Sequence, residues 1–168
     1  MQSHFDLFGL APAYAVEPEA LERSYREIQS RVHPDRFAHA GDAERRASLQ
    51  WTTRVNEAYR ILKDPVQRAK HLLELNGVDV AFETNTAMPA DFLAQQMELR
   101  EALEEAKDAS SLDVLRRGLL KDKRSLERAI AEAIDVKKDY GGAAGLVRKL
   151  QFLDKLDSEI DAAYETIE

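Results

Sequence analysis

A chain of 168 residues has room for one compact domain or two small ones. Five prolines and seven glycines, set against abundant Leu, Ala, Glu, Lys and Arg, predict an all-α class of helices joined by short turns. The formal net charge of -7, with acids and bases interleaved, argues against a general polyanion-binding surface while leaving room for a local basic face, so no nucleic-acid partner is expected. The absence of cysteine excludes disulfides, thiolate nucleophiles and Cys-ligated zinc or iron-sulfur clusters within the chain.

The first twenty residues show no basic region followed by an apolar one, and no apolar run approaches the ~20 residues of a membrane span. A cytoplasmic location without a membrane partner is the expectation. The first strong helix signal begins at Glu17-Pro18, where a proline at the first helical position loses nothing by lacking its N–H. Leu21, Tyr25, Ile28 and Val32 share one stripe, with Arg23, Arg26, Glu27, Ser30 and Arg31 opposite. Pro34 disfavours helical geometry at His33, so the helix is expected to stop near Val32.

After the polar stretch 33–42, the spacing predicts a long helix from about Asp42 to Lys63, with Ala47, Trp51, Val55, Ala58 and Leu62 buried and Tyr59 on the flank. Asp64-Pro65 ends it. A short helix, about Val66 to Leu75, turns Ala69, Leu72 and Leu73 inward and closes at Asn76-Gly77. The two long helices form an antiparallel hairpin that the short one covers at one end. Periodicity fails over 78–88, which reads as a linker between a first domain, 1–77, and a second, 89–168.

The second domain reads as three helices, about Pro89 to Lys107, Leu112 to Lys137 and Ala143 to Ile167, separated by Asp108-Ala-Ser-Ser and Tyr140-Gly-Gly. Their inward faces are Leu112, Leu115, Leu119, Leu126, Ile130 and Ala133 in the middle helix, and Leu146, Leu150, Leu153, Ile160, Tyr164 and Ile167 in the last. Such short connections join only antiparallel neighbours, and a three-helix bundle follows.

His33-Pro34-Asp35 stands at the turn of the first hairpin. The proline removes backbone freedom, so an imidazole and a carboxylate are held in one presentation before a partner arrives. A turn with no function is the bland alternative, and Arg31 is equally a cation favourable to the helix C-terminus. A metal or hydrolytic reading of His33, Asp35, His39 and Asp42 lacks a base, a concave pocket and ligands at helical spacing, so no catalytic residue, metal or cofactor is assigned.

The tripeptide, the arginines before it, and Asn56-Glu-Ala-Tyr59 with Asp64-Pro65 after it resemble a J-domain, the module that activates DnaK-class chaperone ATPases. Further segments narrow the resemblance: Asp6-Leu-Phe-Gly-Leu10, His33-Pro-Asp-Arg-Phe37, Arg68-Ala69 with Leu72-Leu73 and Gly77, Glu98-Leu-Arg-Glu101, and Arg148-Lys-Leu-Gln-Phe-Leu-Asp-Lys-Leu156. Together they look like the HscB family of co-chaperones of iron-sulfur cluster assembly, across nearly the whole chain. Some eukaryotic members add an N-terminal cysteine-rich metal domain that has no counterpart here, which implies a bacterial-type member. The resemblance implies a chaperone-binding surface of His33, Pro34, Asp35, Arg23, Arg26, Arg31 and Arg36, with Asp35 engaging an arginine of an HscA- or DnaK-class ATPase.

The first helix of the second domain carries more apolar surface than one buried face needs. Phe92, Leu99, Ala102, Leu103 and Ala106 make one stripe, while Leu93, Ala94 and Met97 lie about a third of a turn away among Glu98, Arg100, Glu101 and Glu104. From periodicity alone this second strip is equally a protein contact site or a packing face against the first domain or the bundle rim. The resemblance implies a binding face for the IscU-type cluster scaffold, formed by Leu93, Ala94, Met97, Glu98, Arg100, Glu101 and Phe152. Ala94 stands where a larger Met or Leu is usual. The function implied is a co-chaperone delivering scaffold to the ATPase, and the alternative is a general J-protein for misfolded clients.

Overall fold

The computed structural model describes residues 3–80 and 90–167, and in these residues it is helical throughout, as the composition predicts. Contacts divide the chain into two units, Met1–Asn76 and Gly77–Glu168. The expected linker, 78–88, lies largely outside the described residues.

In the first unit, a short helix α1 (His4–Leu7) precedes the predicted ones. Ser3 opens it with a capping box: its hydroxyl accepts from the Asp6 N–H, and the Asp6 carboxylate accepts from the Ser3 N–H. Periodicity does not reveal this element, because one turn is too short to show a stripe. It nevertheless brings Phe5 and Phe8 into the core, and the loop after it adds Tyr14. Arg68 fastens that loop, donating from Nε to the Tyr14 carbonyl (2.7 Å) and from Nη1 to that of Leu62 (2.8 Å).

The hairpin consists of α2 (Pro18–Val32) and α3 (Asp42–Lys63). Next, α4 (Pro65–Leu75) starts where Asp64 Oδ1 accepts from the N–H groups of Val66 and Gln67, and it ends at Asn76 and Gly77, whose φ of +80° suits glycine. Ala69, Leu72 and Leu73 are buried as predicted. On α3 the inward stripe is Ser48, Val55, Ala58 and Leu62. Ala47 is exposed and Trp51 is 43 % exposed, contrary to expectation. Periodicity locates a face, but Ser48 is drawn in by a hydrogen bond that hydropathy does not register, and the Trp51 ring lies beneath the Arg54 guanidinium.

The second unit contains α5 (Ala90–Glu105), α6 (Ala109–Ala131) extended by one π turn (Glu132–Val136), and α7 (Tyr140–Thr166). Leu112, Leu119, Leu153, Leu156 and Ile160 form a core cluster, with Leu99, Leu103, Leu115, Leu126 and Phe152 packed against it. Leu156 and Val147 join the α7 core in place of Ile167, which is exposed. Tyr140-Gly-Gly is not a turn but the first turn of α7. Asp139 Oδ1 accepts from the Gly142 N–H (3.0 Å), and its carboxylate occupies the space a Cβ at 142 would need. The reversal falls instead at Lys137–Asp139, with Lys138 at φ 55°. Ion pairs bind α6 to α7: Arg116 reaches Asp157 (3.1 Å) and Asp161 (2.5 Å), and Lys123 reaches Asp154 (2.7 Å).

Leu62 is fully buried while Trp51 is not. Leu62→Ala is therefore expected to cost about 2–5 kcal/mol in chemical denaturation, and Trp51→Ala less than about 1 kcal/mol. A second prediction concerns pH. His71 Nε2 accepts from the His4 N–H (3.1 Å), and the His71 ring lies against the rings of His4 and Phe5. Burial pushes the His71 pKa from 6.5 down to about 4, with the nearby His4 adding to the shift. The unfolded chain thus binds a proton at a higher pH than the folded one. The stability linked to neutral His71 is complete above pH 6.5 and declines as pH falls toward 4. In His71→Gln, which keeps an acceptor, that part of a melting-temperature profile should flatten.

Candidate interaction surfaces

The bend between α2 and α3 is built by its neighbours as much as by its own residues. Pro34 ends α2 at Val32 and begins a 3-10 turn, Pro34–Phe37. The Val32 carbonyl, which the helix leaves unpaired, accepts from Ser48 Oγ (2.6 Å) and Thr52 Oγ1 (3.2 Å) of α3. Nearer the middle of the hairpin, Tyr25 and Tyr59 stack at 4.0 Å, and Tyr25 Oη donates to Asn56 Oδ1 (2.7 Å). Ser48 and Thr52 are positioning residues that hydropathy passed over. Their signal is a pair of hydroxyls four residues apart on the face turned toward α2.

At the bend, His33 Nδ1 accepts from the Asp35 N–H (3.2 Å), which makes His33 the cap of the 3-10 turn. The Asp35 side chain is 93 % exposed and that of His33 46 %. The carboxylate lies 3.6 Å from His33 Nδ1 and makes no ion pair with an arginine or lysine among the described residues. Arg36 turns back along α2 and donates to the Ser30 carbonyl (3.3 Å).

The arginines of α2 do not form an unbroken basic face. Arg26 pairs with Glu22 (2.7 Å) and Arg31 with Glu27 (2.5 Å), while Arg23 has no ion pair among the described residues. Exposed pairs of this kind contribute only about 0.2–0.5 kcal/mol each, so an incoming carboxylate can exchange with them cheaply.

On α5, Phe92 is buried and meets Phe152 edge-on at 5.8 Å. Leu93 is 46 % and Met97 65 % exposed, and Ala94, Glu98 and Glu101 are exposed beside them. Arg100 crosses to Glu159 on α7 (2.6 Å) with its guanidinium over the Phe152 ring. Two of the residues expected to contact a scaffold, Arg100 and Phe152, therefore also tie α5 to the bundle. A shallow hollow lined by Gln96, Met97, Arg100, Glu101 and Glu104 runs along this face. Ala102, expected inside, is exposed.

Two units, the first built on a bent helical hairpin and the second on three helices, are also the architecture of known proteins. The profile of the HSCB C-terminal oligomerisation domain matches residues 88–161. A protein of Azoarcus sp. (strain BH72) named Co-chaperone protein HscB homolog is 48 % identical over 170 residues, covering 99 % of this chain and 96 % of its own. The chain belongs to the HscB family. Among solved structures, the chaperone HscB of Vibrio cholerae superposes with a TM-score of 0.87 at 30 % identity, over 99 % of this chain and 100 % of that one. Human co-chaperone HscB superposes with a TM-score of 0.92 at 25 % identity, over 96 % of this chain and 82 % of its own. The all-α fold of a J-domain hairpin with a C-terminal bundle is thus that of the HscB family.

Because His33 caps only the short turn, His33→Ala should accelerate hydrogen exchange at the Asp35 amide, measured by NMR, while global stability changes by no more than about 0.5 kcal/mol.

Proposed function

We propose that this chain is a co-chaperone of iron-sulfur cluster assembly that brings an IscU-type scaffold protein to an HscA- or DnaK-class ATPase and stimulates ATP hydrolysis there. The observation that carries this reading is the exposed, pre-shaped bend of His33, Pro34 and Asp35 in a chain of the HscB family. Asp35 meets an arginine of the ATPase in a charge-assisted pair whose strength grows as water leaves the contact. Arg26 and Arg31 exchange their glutamates for acidic groups of the ATPase, Arg23 meets such a group without an exchange, and Arg36 keeps the end of α2 in place.

The second unit serves the scaffold. Leu93, Ala94 and Met97 supply apolar area, bordered by Glu98, Arg100 and Glu101 with Phe152 beneath Arg100. Methionine adapts its shape to a partner more readily than a branched side chain does. Because Ala94 is small, more of this contact falls on Leu93 and Met97. Carrying both surfaces on one chain raises the concentration of scaffold near the ATPase without any new contact. The chain itself makes and breaks no bond. It acts by favouring the ATPase state that hydrolyses nucleotide.

Steady-state ATP hydrolysis by the cognate ATPase tests the first surface. His33→Gln and Asp35→Asn should each abolish most of the stimulation while leaving the fold intact, and undiminished stimulation would refute the role of the bend. Scaffold capture tests the second. Leu93→Ser with Met97→Ser should lose the scaffold yet retain ATPase stimulation, whereas retained scaffold together with loss of unfolded clients would favour a general J-protein.

A further inference from the structure

Apart from the residues of both surfaces, α6 carries a line of cations. Arg117, Lys121, Arg124 and Arg128 recur at spacings of four, three and four. At 100° and 1.5 Å per residue they fall within about 60° of arc and run about 16 Å along the helix. All four are exposed, and none makes an ion pair among the described residues. The neighbouring Arg116 and Lys123, by contrast, are engaged by α7 carboxylates. The line lies opposite the buried Leu112, Leu119 and Ile130.

Each of these cations has a like charge three or four residues away, an arrangement that opposes helix formation. On α2, Arg26 and Arg31 each pair with a glutamate four residues away. On α6, Asp113, Glu127 and Glu132 lie three or four residues from Arg117, Arg124 and Arg128, yet none forms an ion pair with the line among the described residues: Asp113 accepts from Tyr164 Oη, and Glu132 faces Lys137.

Its surroundings narrow the partner. The chain carries a net charge of -7, so a long polyanion is repelled by most of its surface, and α6 has no aromatic residue on which a base could stack. A helix lying on a membrane needs a free apolar face, and that of α6 is inside the bundle. Three of the four cations are arginines, whose planar forks match carboxylates. Val114 and Leu120, exposed by 58 % and 39 %, flank the line on either side and add the apolar contact common in protein interfaces.

We propose that this face of α6 docks an acidic helical segment of a partner protein, with Asp or Glu at i, i+4, i+7 and i+11. Two helices packed side by side set such repeats opposite one another, and the matched charges define register and speed the encounter. The face is separate from the Leu93 and Met97 strip and does not depend on what that strip binds.

The probe is a fluorescein-labelled helical peptide with glutamates at those four positions, followed by fluorescence anisotropy against the full chain. Binding should weaken with added salt, and Arg117→Gln with Arg124→Gln should lower affinity about tenfold without lowering the melting temperature, since it relieves repulsion. The same peptide with Gln for Glu should not bind. The proposal is overturned if the peptide does not bind, if the Gln peptide binds equally, or if Arg23→Gln with Arg26→Gln, rather than the α6 variant, removes binding. Tighter binding to duplex DNA or to phosphatidylserine vesicles than to the peptide would overturn it as well.

Discussion

Two hydroxyls of α3, Ser48 Oγ and Thr52 Oγ1, converge on the carbonyl oxygen of Val32, and the geometry of the hairpin depends on that junction. Proline ends α2 but cannot by itself say where the chain goes next. A carbonyl left at a helix end and shielded from water costs about 1–3 kcal/mol if unpaired, and the hydroxyls remove that cost only when α3 lies at one position along α2. The direction in which His33 and Asp35 leave the hairpin is therefore set by residues of the other helix. The stacked Tyr25 and Tyr59 with Asn56 hold the same register nearer the hairpin's middle.

The second unit solves a different problem. Its core is assembled from leucines and isoleucines of α6 and α7, and ion pairs from Arg116 and Lys123 frame it. The helix α5 adds Leu99 and Leu103 to the edge of that core and is held further by Phe92 against Phe152 and Arg100 against Glu159. These contacts leave one side of α5 uncovered, which is why Leu93 and Met97 remain in water. Arg100 and Phe152 belong to both the support and the exposed face, so substituting either one changes two things at once. Leu93 and Met97 do not share that ambiguity.

Charge follows the same division. On α2, Arg26 and Arg31 each pair with a glutamate of the same helix, whereas the outer line on α6 makes no ion pair among the described residues. Local balance preserves solubility and helix stability without a partner. An unbalanced line is stabilised chiefly when something acidic meets it.

Much of the helix plan was legible in the residues alone. Pro18, Pro34 and Asp64-Pro65 fix the ends of α2 and α3 because proline constrains its own φ and the residue before it, constraints that act whatever the surroundings. The inward faces of α4 and α6 could be read from their spacing, whereas periodicity left the second strip of α5 open between a contact site and a packing face. The misplaced residues mark the limit of that reading. Trp51 sits on the predicted stripe but beyond what its neighbours cover, and Ser48 is buried because a carbonyl on another helix needs its hydroxyl. The start of α7 at Tyr140 depends on the Asp139 carboxylate folding over Gly142, and α1 depends on a single-turn capping box and aromatic burial.

Where α2 begins and stops, and where α3 stops, was thus determined by the sequence, because proline geometry is local. Which part of each apolar stripe is covered, which cations are neutralised and how the bend is aimed were decided only by tertiary structure. These depend on the distance between groups far apart in the chain, and neither hydropathy nor spacing records that distance.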